Sequence, residues 1–386
     1  MRLRSMTKAN VRSKNVLVRA SLDVPLDSRG RVLEPFRLER NLQTFRWILH
    51  RSGRCIILGH RGRPQGKPVP SLSLRPLTRD VERRLRRKVR FAKFPSSAAM
   101  KTARSMNDGD VLLLENLRFV PGEEKASRVF ARQLAALGDL YVNDDFATAH
   151  RNHASISVLP RLLPSYAGFN VAQEVTTLEQ LKGNVKRPFI AIIGGKKIHD
   201  KLGMLHKLLS RLDAVLMGGG AANTLMQYGG QKVGKSPVDA HSCSSDLQTL
   251  LRSAKVSLPF DSRIGTTLRS SRANNVPIQT IPRGKMILDI GNETARSYAR
   301  VLKTARTVLW AGPVGYIENP VFRRGSATIL RAVPHAAFSV AGGGDTIHMI
   351  DFLRSRSRFS FLSTGGGAML ALLAGEKLPG LEPLRQ

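Results

Sequence analysis

The strongest constraint on this chain is an alternation. Short apolar runs that suit β-strands take turns with stretches of helical spacing along nearly the whole length. In the first half the runs are Val16–Arg19, Cys55–Leu58, Val111–Leu114 and Leu140–Val142, with helical patterns between them such as Asn41–His50 and Ala126–Leu137. In the second half they are Phe189–Ile193, Ala214–Met217, Met286–Ile290, Thr307–Trp310, Ala337–Val340 and Phe359–Leu362. Parallel strands need a crossover connection, so this alternation predicts parallel sheets flanked by helices. With 386 residues there is chain for two such lobes. Between them, "VAQEVTTLEQLKGNV" puts Val171, Val175, Leu178 and Leu181 at helical spacing and predicts a long joining helix. The expected class is α/β, with two Rossmann-like lobes over residues 1–170 and 186–375, joined by a helix over 171–185 and a hinge.

None of the apolar runs is long enough to cross a bilayer, so a soluble chain with no membrane partner is expected. The start, "MRLRSMTKANVRSKN", is basic but lacks an apolar segment and runs straight into a strand; it reads as an ordinary basic N-terminus rather than a targeting segment. Cys55 and Cys243 lie far apart, form no metal-ligand pattern, and suit a reducing compartment.

Charge admits one further class of partner. Lys and Arg number 62 against 28 Asp and Glu, a net +34, and such an excess attracts polyanions. The cations are spread along the chain, however. The densest cluster, "RDVERRLRRKVR" (Arg79–Arg90), reads as the solvated face of an amphipathic helix with Val81 and Leu85 inward. No aromatic interleaving or nucleic-acid module accompanies it. Non-specific nucleic-acid binding is therefore the second reading.

The second half repeats one device three times: a strand enters three glycines and a helical pattern follows, in "VLMGGGAANTLM", "FSVAGGGDTIHMI" and "FLSTGGGAMLALL". Ligands of open parallel sheets bind beyond the carboxyl ends of the strands, where glycine admits close approach and helix N-termini attract anions. Tight packing of helix on strand also uses glycine, but three such turns in one lobe favour a nucleotide or phosphate site. No G-x-G-x-x-G with a downstream acid is in place, so a dinucleotide fits poorly. A fourth turn, "FIAIIGGKKIHDKLGML", sets Lys197 and Lys201 four apart at a helix start, where lysine is unfavourable unless an anion sits there.

The first half offers cations instead. Its loops "ASLDVP", "GHRGRP", "ENLRFVPGEE" and "NDDFATAHRNH", with "EPFRLER" between the first two, present Arg37, His60, Arg63, Arg118, His150 and Arg151. Each alone reads as a surface cation; gathered at the same end of one sheet they describe a pocket for a small, highly anionic molecule. A nucleotide lobe and a small-anion lobe together suggest phosphoryl transfer.

One motif points elsewhere. "GGQKVGKS" (Gly229–Ser236) fits the P-loop pattern, which would make the chain a nucleotide hydrolase. Its flanks are wrong: "AANTLMQYGG" reads as a helix ending in glycine, and "SPVDAHSCSS" carries Pro237 and turn residues. Lys235 is therefore expected to stand outside the phosphate chemistry and to serve as a neutral control.

Taken in order, "NVLVRASLDVPL", "GHRGRP", "LLLENLRFVPGEE", "YVNDDFATAHRNHAS", "IIGGKKIHDK", "MGGGAANTL", "VLWAGPVGYIE", "VAGGGDT" and "STGGGAMLALLAG" resemble the motifs of phosphoglycerate kinases over nearly the whole chain. The resemblance implies reversible transfer of the acyl phosphate of 1,3-bisphosphoglycerate to MgADP, giving 3-phosphoglycerate and ATP, in a cytoplasmic monomer whose lobes close about a hinge. It implies that the segment 376–386 packs back on the first lobe. It makes Arg37 the catalytic arginine and gives the glycerate to Ser21, Leu22, Asp23, His60, Arg61, Gly62, Arg63, Arg118 and Arg151. Lys197 would neutralise the transferring group, with Gly365 and Gly366 offering it backbone N–H groups. Lys201, Gly291, Glu318, Gly343, Gly344, Asp345 and Thr346 would hold the nucleotide, Glu318 at the ribose and Asp345 through Mg²⁺.

Several positions depart from the family pattern. Its D-F-N triplet is Ser21-Leu22-Asp23 here, which sets a carboxylate beside an anionic substrate. Arg61 stands where the family has Leu, Ala311 where it has Asn, Lys196 where it has a small residue, and Ala371 and Ala374 where it has acids. These changes bear on affinity and support, as the alternative, a catalytically weakened relative that binds polyanions.

Overall fold

The structure, a computed structural model, describes residues 1–196, 198–239 and 244–386. The chain divides into two compact units, Met1–Glu179 with Glu376–Gln386, and Gln180–Gly375.

The first unit is built on six parallel strands: β1 (Asn15–Arg19), β2 (Arg54–Leu58), β3 (Val89–Ala92), β4 (Val111–Leu114), β5 (Leu140–Asn143) and β6 (Ser165–Ala167). They lie in the order β3-β4-β2-β1-β5-β6. Successive side chains enter opposite cores. Val16, Val18, Cys55, Ile57, Val111 and Leu113 meet Leu38, Phe45 and Ile48 of the helix Phe36–Leu49. Leu17, Ile56, Leu58, Leu112 and Leu114 meet Phe130, Ala131 and Leu134 of the helix Arg128–Ala135. A sheet covered on both faces needs apolar residues at every position, which is why these strands read as unbroken runs. Burial also pushes the Cys55 thiol up, leaving it a small apolar filler.

Three expectations for this unit change. The first helix begins at Phe36, not Asn41, so Arg37 rides on a helical first turn instead of a loop. The helix expected over Arg79–Arg90 spans only Leu77–Leu85; Arg86 turns left-handed (φ 54°) and the chain re-enters the sheet as β3. That strand was hidden because it is an edge: Arg90 faces out between buried Val89 and half-buried Phe91, and a charged edge resists further pairing. The helix expected over Ala126–Leu137 is trimmed to Arg128–Ala135 by the Ser127 hydroxyl, which accepts the N–H of Phe130 at 3.3 Å.

The last residues belong to this unit. Leu378, Leu381 and Leu384 are buried, Gly380 donates its N–H to the Ala149 carbonyl (2.9 Å), and Asn143 Nδ2 donates to the Gly380 carbonyl (3.0 Å). The segment thus backs the loop that leaves β5. The joining helix runs Phe169–Lys182, with Val171, Val175, Leu178 and Leu181 all buried. It starts earlier than its apolar spacing suggests because Asp144 Oδ1 accepts the Asn170 N–H at 2.8 Å.

The second unit contains β7 (Phe189–Ile193), β8 (Ala214–Met217), β9 (Val256–Ser257), β10 (Asp261–Gly265), β11 (Asn274–Pro277), β12 (Met286–Ile290), β13 (Thr307–Ala311), β14 (Phe338–Gly342) and β15 (Phe361–Ser363). Six form a parallel sheet in the order β15-β14-β13-β7-β8-β9. Met286–Ile290 is not among them. It pairs antiparallel with β10 in a separate sheet, β11-β10-β12. "DSRIG" and "NNVP" are too polar to signal strands. Asp261 is there as a cap: its carboxylate accepts the N–H groups of Glu293 and Thr294 at the start of the helix Asn292–Lys303.

"GGQKVGKS" is not a P-loop. Gly229 ends the helix Gly219–Tyr228, Gly234 bridges Met286, and Lys235 donates its N–H to the Lys285 carbonyl at 2.7 Å. No helix opens at Lys235.

Candidate active site

In the first unit β4, β2, β1 and β5 are neighbours, so the loops leaving their carboxyl ends are neighbours as well. Arg19, the last residue of β1, is fully buried. Its Nη1 meets Asp145 Oδ2 at 2.7 Å and the Ala20 carbonyl at 2.9 Å, its Nε the Ser155 hydroxyl at 2.9 Å, and its Nη2 His60 Nδ1 at 2.9 Å. Around it stand Arg37, whose Nη1 donates to the Asp23 carbonyl (2.9 Å), and Arg118, whose Nη1 donates to the Gly62 carbonyl (2.8 Å). Arg61 donates to the Ser73 carbonyl at 3.2 Å. Arg63 and Arg151 are exposed on the loops after β2 and β5.

This crowding sets protonation. Burial first, then the charges of Arg19, Arg118 and Arg37, hold His60 well below the ordinary histidine range. His153 is driven down to about 3 by burial, Arg118, Arg19 and Arg151. His60, read from sequence as a cation, is therefore neutral at pH 7. The fixed arginines repel one another here, and an anion entering the pocket relieves that repulsion.

The triplet Ser21-Leu22-Asp23 divides its labour. Ser21 is buried with a hydroxyl that has no hydrogen-bond partner among the described residues. Leu22 is fully buried and packs so close to Gly59 that a Cβ there would lie 2.5 Å from Leu22 Cδ1. Asp23 Oδ1 accepts the Gly62 N–H at 2.9 Å, so that N–H is already taken. Sequence reasoning missed Arg19, Asp145 and His153. An arginine closing an otherwise apolar strand was the available signal for the first.

In the second unit a cavity of about 430 Å³ opens at the carboxyl ends of the parallel strands. Apolar side chains from Leu268, Met286, Leu288, Pro313 and Ile317 form part of its wall; Lys196, Lys235, Glu318 and Asp345 supply charge. Lys235 borders the cavity, beside the bridge of Gly234 to β12, although its segment is no P-loop.

Gly195, Gly219 and Gly220 also line the cavity. The glycine turns interlock: a Cβ on Gly366 would lie 2.9 Å from Gly343 Cα, and one on Gly220 2.5 Å from the Lys196 carbonyl. Gly343 has φ 103°, which glycine alone adopts easily. Both readings of the glycines therefore apply, close packing and access.

Thr346 is buried and its hydroxyl accepts the Gly312 N–H at 2.8 Å, tying two turns together. Lys201 hydrogen-bonds the Gly194 carbonyl. Lys201, Gly343, Gly344, Thr346, Gly365 and Gly366 belong to the same set of strand ends but do not line the cavity itself. Gly291 is not brought to it either; a Cβ there would strike the Asp261 carboxyl, 2.1 Å away. Asp345 is exposed in the first turn of the helix Gly344–Phe352 and makes no ion pair among the described residues. Lys197 lies outside the described residues.

A family model described as phosphoglycerate kinase matches residues 6–376. The chain belongs to the phosphoglycerate kinase family. The phosphoglycerate kinase of Thermomicrobium roseum is 40% identical to it over 391 residues, covering 100% of each chain. That of Moorella thermoacetica is 40% identical, covering 97% of each. Among solved structures, phosphoglycerate kinase from Coxiella burnetii aligns with a TM-score of 0.80 at 31% identity over 99% of both chains. The Pyrococcus horikoshii enzyme aligns at 0.87 and 27% identity, over 99% of this chain and 98% of that one. As a phosphoglycerate kinase the chain is a glycolytic phosphotransferase with a carboxyl group as acceptor. No finding favours a weakened, polyanion-binding relative.

Proposed function

We propose that the cationic pocket of the first unit binds the glycerate and the cavity of the second unit binds ADP or ATP. The observation that carries this is the convergence of Arg19, Arg37 and Arg118 on a neutral His60, a site whose charge calls for a compact anion. Arg37 is the cation we assign to the transferring group, stabilising charge as the bond between carboxyl oxygen and phosphorus breaks and the ADP oxygen takes the phosphoryl. Arg118, Arg61, Arg63 and Arg151 would hold the glycerate and its fixed phosphate. Ser21 has a buried hydroxyl to offer. Lys197 and the Gly365–Gly366 turn are assigned to the transferring phosphoryl on the family resemblance alone.

In the cavity the apolar wall suits a purine, Glu318 the ribose hydroxyls, and Lys196 and Lys235 the phosphates, with Lys201 assigned to them from the neighbouring strand end on the family resemblance. An exposed carboxylate with no ion pair among the described residues suits Mg²⁺, which takes one or two carboxylates and completes its shell with phosphate and water; this supports Asp345 as its ligand. When bound, the ion would neutralise charge on the nucleotide's phosphates. The same reading takes the chain as a cytoplasmic monomer whose units close on the substrates, and it gives no role to nucleic acid.

The test is ATP formation from 1,3-bisphosphoglycerate and MgADP by the purified protein in a coupled assay. Arg37→Ala should lower kcat by roughly 100-fold or more, the scale of a lost charge-stabilising group. An unchanged rate would overturn the assignment.

A further inference from the structure

We propose that Asp145 is a positioning residue for the glycerate site: by pinning the Arg19 guanidinium it commits His60 to the neutral tautomer with its proton on Nε2, so that His60 presents a hydrogen-bond donor to the anionic substrate. The inference rests on the first-unit pocket being the glycerate site. Its geometry is independent of that reading.

A guanidinium has only N–H donors. His60 Nδ1, 2.9 Å from Arg19 Nη2, must therefore accept, and the ring proton goes to Nε2. Nε2 lies on the side of Asp23, whose Oδ2 is 4.0 Å away. Arg19 cannot rotate out of this contact. Its Nε and Nη1 are committed to Ser155, Ala20 and Asp145, and none of its side chain is exposed. Asp145 is equally buried, with Oδ2 accepting both Arg19 Nη1 and the Thr148 hydroxyl at 2.7 Å, and its N–H held by Asn143 Oδ1 at 3.1 Å.

The carboxylate acts through the arginine and not directly. His60 Nδ1 is 3.9 Å from Asp145 Oδ2. Facing Asp145 alone, the imidazole would turn its proton toward the carboxylate and carry it on Nδ1. The interposed guanidinium reverses that preference, and it stays in place because Asp145 balances its buried charge. Burial, together with the surrounding arginines, keeps the ring uncharged.

The test uses the full chain with ¹⁵N-labelled histidine. Long-range ¹H–¹⁵N spectra at neutral pH should show His60 as a neutral ring with the proton on Nε2, assigned by the signal lost in His60→Gln. In Asp145→Asn the Nδ1–H form should gain population. The KM for 3-phosphoglycerate should then rise roughly fivefold, the size of one hydrogen bond, while the KM for ATP stays put. A wild-type His60 protonated on Nδ1, or on both nitrogens, would overturn the role, and this measurement stands even if the variant does not fold. A folded Asp145→Asn with unchanged tautomer and KM would overturn it too. If the tautomer is as stated but added 3-phosphoglycerate leaves the His60 signals unmoved, the glycerate assignment of the pocket fails, and the positioning role with it.

Discussion

Asp23 Oδ1 accepts the backbone N–H of Gly62 at 2.9 Å, latching the loop after β1 to the loop after β2. The other oxygen of the same carboxylate stands 3.9 Å from Arg37 Nη1. Read from sequence, Asp23 was a glycerate-site residue that brought a negative charge beside an anionic ligand. In the fold its charge is spent on holding two binding loops together and on partly offsetting the cation assigned to the transferring group.

Asp23→Asn keeps an oxygen for the Gly62 N–H and removes the charge. The half-exposed carboxylate costs the bound anion about 1 kcal/mol by like-charge repulsion. The KM for 3-phosphoglycerate should fall by about fivefold with the fold unchanged. Steady-state kinetics decide; a KM that rises or stays level would mean the carboxylate is not near the bound anion.

Lys235 borders the cavity of the second unit, so Lys235→Ala should weaken nucleotide binding. A lost charge-assisted bond to a phosphate is worth about 1.5 kcal/mol, roughly a tenfold rise in the KM for ADP and ATP. The KM for 3-phosphoglycerate is the internal reference. Unaltered nucleotide constants would return Lys235 to the status of a bystander.

Two glycines make a matched pair. At Gly366 an added methyl meets the Gly343 backbone at 2.9 Å, where nothing can swing aside. Gly366→Ala should cost about 1–3 kcal/mol of stability and lower kcat. At Gly203, in the helix His199–Leu209, a methyl meets nothing within 4 Å among the described residues. Gly203→Ala should stabilise by about 0.5–1 kcal/mol. Thermal unfolding of both variants checks the opposite signs.

His153 sets part of the acid limit. Its folded pKa, about 3, lies below the ordinary value of 6.5, so the unfolded chain binds more protons between those two pH values. The stability associated with the neutral ring is complete above pH 6.5 and is lost as pH falls towards 3. His153→Gln cannot titrate and should flatten the stability–pH curve across that window by up to one proton, about 1.4 kcal/mol per pH unit at most. Denaturant titrations from pH 4 to pH 7 measure it; an unchanged slope would show that His153 is not held neutral.

Much of the architecture was legible because it is encoded locally. The expected runs at Val16–Arg19, Cys55–Leu58, Phe189–Ile193 and Thr307–Trp310 all fall within observed parallel strands, since double-sided burial demands unbroken apolar residues. The edge strand Val89–Ala92 and the antiparallel ribbon of Asp261–Gly265 and Asn274–Pro277 were not legible. Each has a side facing solvent or a capping duty, and polar residues there erase the apolar signal. In the first-unit pocket the exposed or loop-borne cations were recognisable by type. Arg19 was not, because it sits inside what reads as a strand.

The sequence by itself determined the family, the two-unit α/β plan, and which residue types can handle phosphate. Only the tertiary structure decided that His60 is neutral, that Leu22 packs, that Gly291 stays out of the cavity and that Lys235 borders it. The reason is physical: strand periodicity is written in a few consecutive residues. A protonation state depends on burial and on charges such as Arg19 and Arg118, which come together only when β1, β2 and β4 lie side by side.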